Sequence, residues 1–121
     1  MDDLWPSNIA DSNLVTPVSI LKEQAALLGE KTKELVKGEV VTHTTGNLFI
    51  HSFNVVAPTL SYRYELFQVT HHVNFYPLTI RHLNNTIQAK SEAEFKDKLK
   101  EIFSALHTLN TIHSILAQVR A

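Results

Sequence analysis

The sequence predicts an α+β domain in which an antiparallel meander sheet of three to five strands has an N-terminal helix and one or two C-terminal helices packed on it. Three observations predict this. An apolar stripe at helical spacing follows a capping signal at Thr16. Runs rich in Val, Ile, Thr, Phe and Tyr, broken by short turn-forming segments, fill residues 39–82. Helical spacing then returns after a capping box at Ser91.

Residues 1–15 read as an irregular arm. Trp5-Pro6-Ser7-Asn8 has turn chemistry and Asp11-Ser12-Asn13 is a polar cluster. Trp5 is the only tryptophan, and the gain from burying it predicts an arm that lies against the domain. Thr16 can cap free N–H groups and Pro17 suits a first helical position. Leu21, Ala25, Leu28, Thr32 and Leu35 then form one stripe, widened by Ile20, Leu27 and Val36, with Gly38 as the expected stop.

Strands are expected over residues 39–44, 48–57, 62–71 and 76–82, the first three joined by Thr45-Gly46-Asn47 and Pro58-Thr59-Leu60-Ser61. Alternation puts Phe49, His51, Phe53 and Val55 on one face, with Phe67, Val69 and His71, then Tyr76, Leu78 and Ile80. Pro77 has no N–H to donate, which favours a four-residue loop over 72–75 that sets Phe67 against Ile80, Val69 against Leu78 and His71 against Tyr76. That register also places the start of the fourth strand at an exposed edge. Asn84-Asn85 is a turn, and residues 86–90 offer a short fifth strand. Ser91 through Glu94 opens a helix with Phe95, Leu99 and Ile102 or Phe103 inward. Ser104 either caps a further helix, striped by Ala105, Leu109, Ile112, Leu116 and Val119, or sits inside one long bent helix.

The 121 residues fit one domain able to bury a core. Eleven Lys and Arg against twelve Asp and Glu leave a net charge of −1, so no global field favours nucleic acid or anionic membrane. Cysteine is absent, which removes disulfides, thiolate catalysis and cysteine-ligated zinc. The acidic start lacks a signal-peptide pattern, and no apolar run is long enough to span a membrane; a soluble, cytoplasmic protein is expected.

Seven histidines raise the question of a metal. His71 and His72 are adjacent on a strand and point to opposite faces, while His107 and His113 are six apart, poor spacing for shared ligation. His51 and His71 share a face but are expected to stand well apart along the sheet. Ordinary half-buried or surface histidines with local hydrogen bonds are the simpler account, so no metal ligand, cofactor or catalytic residue is assigned. Ser19-Ile20-Leu21-Lys22 spells Ser-x-x-Lys without the companion motifs of acyl-transfer enzymes, and three glycines supply no phosphate-cradling loop. Glu65 is expected on the core face opposite His82, where a Glu–His pair either tunes a proton or satisfies two polar groups at the rim.

Tyr62, Tyr64 and Tyr76 with Arg63, Arg81 and His72 suit either a cross-strand ladder or a stacking surface, but the glycine-aromatic signature of an RNA-binding sheet is missing. Tyr64, Leu66, His72 and Phe75 are expected on the face away from the core, an apolar surface in need of a cover. The run Val18-Ser19-Ile20-Leu21-Lys22-Glu23-Gln24-Ala25-Ala26-Leu27-Leu28-Gly29-Glu30-Lys31-Thr32, followed by strands ending in Val55-Val56-Ala57-Pro58, resembles small uncharacterised bacterial proteins. The resemblance implies no activity and no site.

These readings rank a non-catalytic protein-interaction or regulatory module first, self-associating as a homodimer or binding another protein through Tyr64, Leu66, His72 and Phe75 or the proline-bearing edge. A small-ligand or enzymatic pocket between helices and sheet, using His51, Glu65, His71, Tyr76 or His82, ranks second. Nucleic-acid binding ranks third.

Overall fold

Thr16 begins the first helix as its chemistry requires: its hydroxyl accepts from the Ser19 N–H at 3.1 Å, and Pro17 occupies the first turn. The computed structural model describes all residues, Met1 to Ala121. In order, the elements are α1 (Pro17–Lys31), β1 (Lys37–Thr45), β2 (Leu48–Ala57), β3 (Tyr62–His71), β4 (Leu78–His82), β5 (Asn85–Ala89), α2 (Glu92–Ser104) and α3 (Leu106–Val119). The five strands form one antiparallel meander in chain order, with β1 and β5 as its edges. The fold is α+β, with the helices packed on the sheet around one core that includes Leu21, Phe53, Phe67, Ile80, Phe95 and Ile115. No helix is long and apolar enough to cross a membrane.

The first helix stops seven residues earlier than Gly38. Lys33 and Glu34 are both left-handed, with φ of 53° and 64°, and the Glu34 N–H donates to the Gly29 carbonyl at 2.8 Å. The Thr32 hydroxyl holds the turn, donating to the Val36 carbonyl at 2.7 Å and accepting from the Val36 N–H at 3.1 Å. Gly38 instead lies in β1 beneath α1, where an added Cβ would stand 2.5 Å from Ala25 Cα. It is needed for close approach, not for helix termination.

Two further expectations change on the sheet. The β3–β4 register is shifted by two residues, pairing Val69 with Ile80 and Thr70 with Thr79, so the loop covers residues 72–77 and Pro77 stays outside the ladder. An even shift keeps every side chain on its face. Because β4 lies between β3 and β5, Pro77 does not mark a sheet edge.

The second change is a β-bulge. Phe53 pairs with Phe67 but Asn54 pairs with Glu65, which leaves Leu66 as the extra residue on β3. The alternation therefore changes phase at Leu66. Leu66 joins the core at 4% exposure, Tyr64 packs beside it, and Glu65 and Arg63 turn to the opposite face. There Arg63 pairs with Glu39 at 2.9 Å. The outer face is thus mainly polar, with Ser52, Gln68, Arg81 and Thr86 in one row across β2 to β5.

The C-terminal helices are two. Ala105 is extended (φ −65°, ψ 147°), Ser104 ends α2, and the buried Thr108 hydroxyl donates across the corner to the Ile102 carbonyl at 2.6 Å. Ser91 caps α2 through the Glu94 N–H at 3.2 Å. The arm does not lie against the domain: Trp5 is 71% exposed, and Leu4, Ile9 and Leu14 are exposed with it.

Candidate functional site

The sequence-predicted ligand residues separate into four places. His51 on β2 and His71 on β3 come together, their Nε2 atoms 2.8 Å apart, both rings buried. His51 lies opposite Val69 and His71 opposite Phe49, so the two histidines are diagonal neighbours on adjacent strands. That is far closer than the spacing expected from strand positions alone, because imidazoles leaning toward each other span the diagonal.

The pair belongs to a longer line. Thr42 Oγ1 lies 2.8 Å from His51 Nδ1, and His71 Nδ1 bonds to the His72 carbonyl. A carbonyl only accepts, so with both rings neutral every hydrogen is placed. His71 donates from Nδ1, His51 donates from Nε2 to His71 Nε2, and the Thr42 hydroxyl donates to His51 Nδ1. Phe49 stacks on His71 at 5.5 Å between centroids, and Phe75 meets its edge at 6.1 Å. Burial first, then the neighbouring His71 and the Lys22 ammonium, push His51 down to about 4. The line can relay hydrogen-bond polarity between Thr42 and the loop after β3. Two imidazoles fall short of the donors a bound metal needs, and no three His, Cys, Asp or Glu side chains gather anywhere on the chain.

His82, at the far end of β4, is buried beside His107 of α3, with ring centroids 6.3 Å apart. Burial, then His107, lowers its pKa, and its Nε2 has no protein partner. His107 in turn bonds the Tyr64 hydroxyl at 2.9 Å. Tyr76 packs against Phe95 of α2, its buried hydroxyl unpaired and its pKa raised by burial and then by Glu92. Glu65 is exposed on the outer face and does not meet His82.

The residues expected to form an outer apolar surface are likewise divided. Leu66 is in the core, Tyr64 is tied to α3, and Phe75 packs on His71. Only His72 is exposed. The bulge turns Tyr64 and Leu66 inward, and the longer loop over residues 72–77 takes Phe75 off the sheet.

Sequence reasoning expected a hollow between helices and sheet but not the residues that line the most apolar one. It is a groove of about 270 Å³ between α1 and α3, walled by Leu27 and Leu28 on one side and Leu109 and Ile112 on the other. Phe53, Val55 and Leu66 make its floor, with Phe103 of α2 also lining it. A second hollow of about 600 Å³ continues it between α1 and α2, sharing Gln24 and Phe103 and reaching Val15. The available signal was surplus width. Leu27 and Leu28 widen the α1 stripe beyond the face buried on the sheet, and Leu109 remains 40% exposed on α3.

Comparison of the chain with protein-family models, with curated proteins and with solved structures found no match.

Proposed function

We propose that this chain is a non-catalytic interaction module of the cytoplasm whose contact surface is the α1–α3 groove. The observation that carries the reading is the groove itself: a concave apolar strip left between two helices, eight of whose eleven lining residues are hydrophobic. The placement of the tyrosines and histidines supports interaction over chemistry. His51 with His71, His82 with His107, Tyr76 and Glu65 stand in four separate places, so they do not converge on one reacting atom.

A photo-crosslinking amino acid at position 109, on the groove rim, tests the reading in the cell that makes the protein. A discrete adduct at position 109, with none from a control at Gln88 on the opposite sheet face, is the expected result. Equal labelling at both positions, or none at either, refutes it.

A further inference from the structure

We infer that the occupant of the groove is the N-terminal arm, residues 4–15, of a second copy of this chain, the two copies exchanging arms about a two-fold axis. The inference rests on the reading of the groove as a contact surface and names its partner.

The arm is the other unpartnered apolar surface of the molecule. Leu4, Trp5, Ile9 and Leu14 are 90%, 71%, 60% and 70% exposed, and Val15 is 51% exposed. Such a series is costly to leave in water and is expected of a segment that buries itself in something. Its backbone is already shaped. The Ile9 and Asp11 N–H groups donate to Pro6 and Asn8 carbonyls at 3.2 and 3.0 Å, and the Trp5 N–H donates to Asp3 Oδ1 at 3.0 Å. Less ordering therefore remains to be done on docking.

Charge and length agree with this occupant. Residues 1–15 carry three acidic side chains, Asp2, Asp3 and Asp11, and no basic one. Lys31 is the one charged residue lining the groove and supplies the complementary charge. The continuation is balanced, with Lys96 and Lys100 against Glu23 and Glu92 and Lys96 paired to Glu92 at 3.2 Å. The fifteen residues of α1, along which both hollows run, span about 22 Å, within reach of twelve arm residues even with a turn in their middle. An arm of twelve residues and a groove of eleven give each copy a share within the 20–30 residues a side of a stable interface.

The exit of the arm selects a second copy over the arm's own groove. Thr16 is extended at φ −94° and ψ 153°, as a residue before proline must be, and its carbonyl and hydroxyl are held by Ser19 and Ile20. Arm and groove on one molecule, each complementary to the other, generate a closed pair when related by a two-fold axis.

Trp5 reports the contact, since it is the sole tryptophan. The full chain is examined by sedimentation and by acrylamide quenching of Trp5 emission, alongside Trp5→Ala and Leu109→Asp, both at exposed positions. The expected result is a dimer with Trp5 protected from quencher, protection that is lost on dilution to monomer. Each variant weakens dimerisation by about tenfold or more. Mixing the two variants restores a dimer, because the intact arm of one enters the intact groove of the other. A monomer with protected Trp5 overturns the inference by placing the arm in its own groove. A dimer with accessible Trp5, or a crosslink from position 109 to a different protein, overturns it while leaving the interaction reading intact. No crosslink at position 109 removes both.

Discussion

Take the protein from about pH 7.5 to about pH 4.5 and follow His51. In the unfolded chain its imidazole titrates near 6.5, whereas in the fold it titrates at about 4. The unfolded state therefore takes up the proton first. The contribution of neutral His51 is complete above about pH 6.5 and is lost progressively as pH falls toward about 4, below which both states are protonated. At about pH 4.5 the loss from this one ring is roughly 2–3 kcal/mol, a large part of a small domain's stability. His82, also lowered by burial, acts in the same direction. Urea unfolding followed by circular dichroism measures the loss as a fall in midpoint of roughly 1–2 M. His51→Gln isolates it, because the amide can still donate toward His71 but does not titrate. The stability difference between wild type and variant is expected to shrink by roughly 2–3 kcal/mol from about pH 7.5 to about pH 4.5. Parallel curves for the two proteins across that window would refute the argument, since His51 would then be free to protonate in the fold.

Three other perturbations test the packing that positions the groove and the histidine line. Gly38→Ala forces a Cβ against Ala25 and is expected to cost about 1–3 kcal/mol in thermal or urea unfolding; a neutral result would mean that α1 does not lie on β1 there. Leu66→Ala is expected to cost about 2–5 kcal/mol and Glu65→Ala less than about 0.5, and the reverse order would place the bulge elsewhere. Tyr76→Phe removes a buried hydroxyl with no protein partner, so stability should hold or rise by up to about 1 kcal/mol; a loss of that size would reveal a bond to the hydroxyl.

Much of the architecture was legible because its signals are local. The Thr16-Pro17 start and the Ser91 cap each depend on a side chain three residues from the N–H it satisfies, and both form as read. The return half of the Ser91 box does not form, Glu94 accepting from the Lys90 N–H at 3.4 Å instead of from Ser91. The strands over residues 48–57 and 62–71 were legible from β-branched and aromatic content. The end of α1 was not, although its signal is also local. Gly38 looked like the stop, but Thr32 bonds on both sides of Val36 close the helix earlier, and Gly38 serves the approach of a different element. A glycine states that room is needed and not which neighbour needs it.

The candidate site was legible only in parity. Alternation placed His51 and His71 on one face, and strand composition made both strands credible, but their bond depends on the β2–β3 register, which sets His51 one diagonal from His71. The same pairing contains the bulge, and one extra residue at Leu66 reverses which side Tyr64, Glu65 and Leu66 present. The bulge takes Tyr64 and Leu66 off the outer face, and the longer loop over residues 72–77 takes Phe75 off it. The two-residue shift of β4 along β3, together with the bulge, undoes the Glu65–His82 pair.

By itself, then, the sequence determined the α+β class, the order of helix, meander and helices, the caps, and which residues are apolar enough to be buried. Those follow from periodicity and from hydrogen bonds made within a few residues. Tertiary structure alone decided which apolar residues find partners. Leu27, Leu109 and Ile112 read as core in one dimension, and the spacing of α1 and α3 over the sheet leaves them lining a groove. Trp5 reads as buried for the same energetic reason, and the extended Thr16 carries it away from the domain. Hydrophobicity states that a side chain should leave water; only the positions of distant elements state where it can go.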